Sequence, residues 1–125
     1  MLNKEKILDI LNYYSLPKDE FIIISGASMV LQEIKEETSD IDIAVSENLY
    51  NYLINNYKCK LEKILENGAK VWFIDKINFS TNYYKSVDYI YFDEFKIQSI
   101  ESILKLKKEL NRKKDLNDIS LLERI

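Results

Sequence analysis

The chain has 125 residues, enough for one domain with a substantial hydrophobic core but too few for two. Hydrophobic residues make up 46% of it, and its net charge of -3 gives no overall attraction to nucleic acid or anionic membranes. One cysteine and no histidine exclude an internal disulfide, a zinc site and any imidazole base. Any chemistry must therefore depend on carboxylates, lysines, hydroxyls or a bound metal.

The N-terminal segment is charged and amphipathic, which does not fit a signal peptide. No apolar run approaches the length needed to cross a membrane. We therefore expect a cytoplasmic protein with no membrane partner. The abundance of Lys, Ile, Asn and Tyr is typical of proteins encoded by AT-rich bacterial or phage genomes.

Hydrophobic spacing predicts alternating helices and strands in the first half of the chain. Pro17 ends the first helix, and Ser46 has the features of an N-cap for the third. The first strand is apolar throughout, so we expect it to be central. The predicted helices are 3–15, 28–34 and 47–56, and the predicted strands are 21–25 and 40–45.

The second half is predicted to contain four more strands and then two helices. Alternation in the first of these strands is irregular, because Lys60, Glu62 and Lys63 interrupt it. Ser99 fits an N-cap, and the last helix is expected to bury Leu116, Ile119 and Leu122. The predicted strands are 59–65, 70–74, 77–81 and 87–92, the segment 95–98 follows a turn, and the predicted helices are 99–111 and 114–123.

A run of small residues, Ser25-Gly26-Ala27-Ser28, lies between the first strand and the next helix. Small residues let the backbone turn sharply and approach a ligand closely. The first N–H groups of the following helix would point back at this turn, where they would favour an anion.

Two aspartates open the second strand of this unit. Because side chains alternate along a strand, Asp40 and Asp42 are predicted to share one face, while Ile41 and Ile43 occupy the other. Adjacent carboxylates repel each other, so the pair is best tolerated where a cation neutralises it. A hard divalent cation, Mg²⁺ or Mn²⁺, is the natural candidate.

The combination of Gly26-Ala27-Ser28 with Thr38-Ser39-Asp40-Ile41-Asp42-Ile43 resembles the signature of the nucleotidyltransferase (DNA polymerase beta-like) superfamily. The similarity is greatest to small bacterial and phage members related to abortive-infection and toxin–antitoxin proteins. It implies one domain over 1–125, of α/β (α+β) class: a short mixed β-sheet flanked by helices and closed by a C-terminal helix hairpin.

This resemblance implies transfer of a nucleoside monophosphate from an NTP to an acceptor hydroxyl. The phosphates would lie against Gly26, Ala27 and Ser28, and Asp40 and Asp42 would act as catalytic metal ligands. Ala27 stands where the family has Gly or Ser. The acceptor is left open among RNA, a protein and a small molecule, and an antitoxin partner is possible.

Members of this superfamily carry a third carboxylate on a later strand. In this chain the corresponding position holds Asn78, between Ile77 and Phe79, and an amide cannot act as a base. Asp75 would substitute only if a turn or bulge redirected it toward the pair. The alternative to an active transferase is therefore a catalytically impaired module of the same fold that binds nucleotide or protein.

The charged segment 106–119 resembles the C-terminal segment of these small transferases. The resemblance points to Lys107 as a contact for the nucleotide phosphates, with Arg112 as a second candidate. The alternative for Arg112 is an ion pair with Asp115 or Asp118 that joins the two helices. A charge run of this kind can equally be a solvated, self-paired helix hairpin.

Overall fold

In the computed structural model, which describes residues 1–125, the chain forms one seven-stranded mixed sheet with five α-helices. The class is therefore mixed α and β, as predicted. The helices are α1 (Lys4–Tyr14), α2 (Ser25–Leu31), α3 (Glu47–Asn56), α4 (Ile100–Leu110) and α5 (Leu116–Glu123). The strands are β1 (Phe21–Ile24), β2 (Ile41–Val45), β3 (Lys60–Ile64), β4 (Lys70–Ile74), β5 (Ile77–Ser80), β6 (Tyr89–Phe92) and β7 (Phe95–Gln98).

The strand order is β3-β4-β5-β2-β1-β7-β6. Strand β1 pairs antiparallel with β2 and parallel with β7, while β2 and β5 are parallel. This confirms that β1 is central, and its uninterrupted apolar sequence follows from burial on both faces. Strands β3 and β6 form the two edges.

Local sequence signals fix most helix ends. Asn3 caps α1, Ser46 caps α3 and Ser99 caps α4, each accepting a hydrogen bond from a backbone N–H in the first turn. Asn111 ends α4 in the left-handed conformation, with φ of 48°. None of the helices has the length and apolar character needed to cross a lipid bilayer.

Two hydrophobic clusters hold the helices to the sheet. The larger combines buried residues of β1, β2, β5 and β7 with the inner faces of α1, α2 and α3. The smaller consists of Met29, Ile103 and Leu122, so it joins α2 to the C-terminal helices α4 and α5. The second cluster positions the C-terminal helix pair.

Three predicted details are wrong. Helix α2 begins at Ser25 rather than at residue 28, so the small residues form its first turn. Strand β6 begins at Tyr89, because a turn in which Val87 N donates to Tyr83 O comes first. The last helix is preceded by a 3₁₀ turn, and Leu116, which was expected to be buried, is 60% exposed, whereas Asp115 is buried.

Two isoleucines that are paired across β6 and β7 should contribute very different amounts to the free energy of unfolding. Ile97 is 0% exposed, whereas its partner Ile90 is 44% exposed. Ile97→Ala should lower the free energy of unfolding by about 3 kcal/mol because it leaves a cavity. Ile90→Ala should change it by less than about 0.5 kcal/mol. Equal losses in urea titrations of the two variants would contradict this assignment of the core.

Candidate functional site

The two aspartates face the same cleft. Asp42 lies in β2, directly beside Asn78 of the parallel neighbour β5, and Asp40 lies in the bend before the strand. The Asn78 amide Nδ2 donates to Asp40 Oδ2 at 2.9 Å and to Asp42 Oδ1 at 3.2 Å. One amino group thus bridges both carboxylates, which confirms that the pair shares a face.

The environment of Asp42 makes its ionised form costly. Burial raises the pKa of Asp42 to about 6, and the charge of Asp40 adds to the shift. The hydrogen bond from Asn78 and the positive charges of Lys63 and Lys107 oppose the shift without cancelling it. A cation at this position would relieve both the burial and the repulsion.

No third acid joins the pair. The chain contains no group of three or more His, Cys, Asp or Glu side chains arranged to hold a metal. Asp75 does not fit the role of the missing carboxylate. It lies in the β4–β5 turn with φ of 54°, and its Oδ2 accepts a hydrogen bond from the hydroxyl of Tyr14 at 3.4 Å. It is not among the residues that line the cleft.

The turn between β1 and α2 is held in place by contacts with distant residues. Ser25 takes the left-handed conformation, with φ of 56°, and its N–H donates to Gln98 Oε1 at 3.0 Å. A Cβ on Gly26 would lie 2.7 Å from Thr38 Oγ1, so this position needs glycine. Both residues line the cleft, Gly26 through its backbone, whereas the Ser25 N–H is held by Gln98.

Ala27 and Ser28 turn away from the cleft. Both are almost fully buried, and the Ser28 hydroxyl donates to the backbone oxygen of Gln98 at 2.8 Å. Because α2 starts early and its first turn packs against β7, neither residue offers accessible surface to the cleft, and phosphate contacts at these two positions stay a prediction. Gln98, which fixes both ends of this turn, carried no recognisable signal in the sequence.

The polar cleft beside the pair has a volume of about 340 Å³ and a balanced set of charges. Ser25, Gly26 and Asn78 contribute polar groups to its wall, and Val71 is the one hydrophobic lining residue. Five cations face five acids across it: Lys35, Lys63, Lys107, Arg112 and Lys114, against Asp40, Asp42, Glu62, Asp115 and Asp118.

Lys107 is not free to bind a ligand. It is 5% exposed, and its ammonium lies 3.1 Å from Asp115 and 3.4 Å from Asp118. Arg112 Nε donates to Asp115 Oδ2 at 2.6 Å, and Lys35 lies 3.1 Å from Asp118. The structure thus favours the structural alternative for Arg112 and extends it to Lys107.

Asp115 shows how strongly these ion pairs act. Burial alone would raise its pKa, but the hydrogen bonds and charges of Arg112 and Lys107 outweigh burial and hold the pKa below its usual value. The carboxylate therefore stays ionised in a buried position, because both Arg112 and Lys107 form ion pairs with it.

A second, less polar pocket of about 160 Å³ adjoins the cleft. It shares lining residues with the cleft, among them Asp42, Lys63 and Arg112. Its other walls are largely apolar and come from Leu65, Phe79, Tyr83, Leu106 and Leu110. A ligand with a charged part and a flat apolar part would fit across the two.

Comparisons of the chain with family models, with curated proteins and with solved structures find no significant match. The functional assignment therefore depends on the residues and geometry of the site.

The raised pKa of Asp42 predicts a pH-dependent stability. Between about pH 4 and pH 6 the folded protein holds a proton that the unfolded chain has released, so stability falls as the pH rises through this range. Asp42→Asn removes this loss. In metal-free buffer we expect the variant to melt above the wild type at pH 7.5, with the difference disappearing below about pH 4. The exposed turn variant Asp93→Asn should melt with the wild type throughout, and parallel profiles for Asp42→Asn and wild type would contradict the burial of this charge.

Proposed function

We propose that this chain is a metal-dependent nucleotidyltransferase of the DNA polymerase beta-like kind, which transfers a nucleoside monophosphate from an NTP to an acceptor hydroxyl. The observation that carries the proposal is the Asp40/Asp42 pair on the wall of a charged cleft, next to a strand-to-helix turn of small residues. The resemblance of these segments to the superfamily signature points the same way.

The two cavities suit the two halves of a nucleotide. The polar cleft offers charged groups and the backbone of Gly26 to a triphosphate, while the adjoining pocket offers apolar walls to a base. Pockets that combine a few polar groups with an apolar wall are typical of small-molecule sites. The Tyr83 ring lines the second pocket and provides an aromatic surface there.

The donor set fits Mg²⁺ or Mn²⁺. Asp40 and Asp42 supply two carboxylates on one face, bridged by the Asn78 Nδ2. A cation that displaced this bridge could take the Asn78 carbonyl oxygen as a further ligand once the amide had rotated. Hard cations prefer such oxygen ligands and keep further positions for water and substrate phosphates. A cation bound there would polarise the α-phosphoryl group and neutralise charge on the departing pyrophosphate.

The chain's own groups would act mainly by positioning. The acceptor oxygen attacks the α-phosphorus, the bond to the β-phosphate oxygen breaks, and pyrophosphate leaves. Because an amide cannot accept a proton, Asn78 is not the base, and the hydroxyl proton passes to solvent or to one of the aspartates. Positioning and electrostatic stabilisation together account for most of the catalysis in phosphoryl transfers.

Label transfer tests the activity directly. Wild-type protein is incubated with Mg²⁺, each of the four α-³²P-labelled NTPs, and either total RNA or cell lysate. We expect labelled product with the wild type and at least a 100-fold loss in Asp40→Asn/Asp42→Asn, because the cation would lose both carboxylates. Asp93→Asn, in the β6–β7 turn, is the matched control and should retain full activity. Equal labelling by wild type and the double variant would refute the proposal.

A second candidate is favoured by one contact, the amide bridge of Asn78. A protein in which this amide permanently replaces the third acid would bind Mg²⁺–NTP without transferring the nucleotidyl group. The two candidates differ in product formation but share the same binding site.

The variant Asn78→Asp tests whether the amide at this position limits the rate of nucleotidyl transfer. A third carboxylate should lower the melting temperature in metal-free buffer, since three acids would then crowd one face, and Mg²⁺ should restore it. We also expect transfer to rise at least tenfold. The matched control is Asn51→Asp, an exposed position in α3 that lines neither cavity, and it should change neither property. Transfer at or below the wild-type rate would show that Asn78 is already the residue that the chemistry needs.

A further inference from the structure

Edge strand β3 contains a bulge beside the site. It pairs antiparallel with β4, with Lys60 opposite Phe73 and Leu61 opposite Trp72. The next pair is Lys63 opposite Val71, so Glu62 has no partner of its own. One extra residue on one strand defines a β-bulge, and bulges redirect the side chains that follow.

The bulge decides which face Lys63 occupies. Residues that lie opposite each other in neighbouring strands share a face of the sheet. Phe73 is opposite Asn78, and Asn78 is beside Asp42, so this face of β4 and β5 is the one that carries the aspartates. Val71 lies on it too, two residues before Phe73. Strict alternation from Lys60 would turn Lys63 to the other face, and the extra residue turns it to the site.

Lys63 also differs from most of the other cleft cations because it has no ion-pair partner. Three of the five cleft cations are held by Asp115 and Asp118, namely Lys35, Lys107 and Arg112. Lys63 and Lys114 form neither an ion pair nor a side-chain hydrogen bond, and both are exposed. Of these two lysines, only Lys63 also lines the second, less polar pocket. It therefore stands at the junction of the two cavities.

We propose that Lys63 is the side chain that binds the phosphate chain of the nucleotide, and that the β3 bulge exists in this fold to bring it there. The proposal rests on the function proposed above. An ammonium group on a flexible stem is a point charge that can follow phosphate oxygens. Lys107, the expected contact, is already neutralised by two carboxylates.

Binding measurements test the proposal without requiring turnover. Isothermal titration calorimetry with Mg²⁺ and each of ATP, GTP, CTP and UTP identifies the nucleotide that binds best, and inorganic triphosphate is titrated in parallel. Lys63→Met keeps the aliphatic stem and should weaken binding of both ligands by about tenfold or more, the usual effect of losing a charge-assisted contact. Lys63→Arg should recover most of the affinity.

Lys60→Met is the matched control. Lys60 lies on the same strand and the same face, but it does not line the cleft, so its loss should leave both affinities unchanged. Without ligand, cooperative thermal unfolding of Lys63→Met shows that the variant is folded. Its melting temperature should agree with that of the wild type at pH 4 and lie slightly below it at pH 7.5, because the Lys63 charge helps to stabilise ionised Asp42.

The outcomes separate the two proposals. Nucleotide binding by the wild type that Lys63→Met leaves unchanged overturns the role of Lys63 and leaves the proposed function standing. Binding of triphosphate but of no NTP, with the triphosphate affinity lost in Lys63→Met, supports Lys63 as a phosphate contact and overturns the nucleotide function. Absence of binding of either ligand to the wild type overturns both.

Discussion

The repulsion between two carboxylates on one wall of a cleft is the constraint on which the site depends. Asp42 faces the cleft from β2, Asp40 faces it from the bend before that strand, and the parallel register of β5 places Asn78 beside Asp42. The two N–H bonds of a single amide then serve one carboxylate each. This arrangement holds the pair together in a partly buried position, yet the pKa of Asp42 remains raised to about 6. The amide reduces the repulsion without supplying the positive charge that would remove it, so the pair remains suited to a cation.

Buried charge also explains how the C-terminal helices are fixed. Lys107 and Asp115 are both nearly inaccessible, and an unpaired charge at such a depth would destabilise the fold by several kcal/mol. Each meets its opposite charge instead, and Arg112, Lys35 and Asp118 extend the network. The pairing ties α4 to the turn before α5 and leaves Leu116 exposed. Cations that look available in a basic stretch of sequence are thereby removed from ligand binding.

In the turn between β1 and α2, some residues line the cleft and others belong to the core. Ser25 adopts a left-handed conformation that is uncommon for a residue with a side chain, and it is held there by Gln98 from β7. The same glutamine anchors Ser28 through its backbone oxygen. Ser25 and Gly26 therefore line the cleft, Gly26 through its backbone, while the next two residues are buried in the core.

Local pattern determined much of this protein. The caps at Ser46 and Ser99, the central strand β1 and the shared face of Asp40 and Asp42 could all be inferred from spacing within short segments, because each depends on neighbours along the chain. The interest of Asn78 came from the resemblance to the superfamily, and its place beside the pair depends on the register of β2 and β5. The partners of Lys107, the burial of Ser28, the position of Asp75 beside Tyr14 and the turning of Lys63 toward the site could not be inferred from spacing. Each of these depends on how separate elements meet in the fold, whether the partners are 8 residues apart, as Lys107 and Asp115 are, or 70 apart, as Ser28 and Gln98 are. The irregular alternation around Lys60, Glu62 and Lys63 was visible in the sequence, but only pairing with β4 decided that it was a bulge, since one strand alone does not fix its own register.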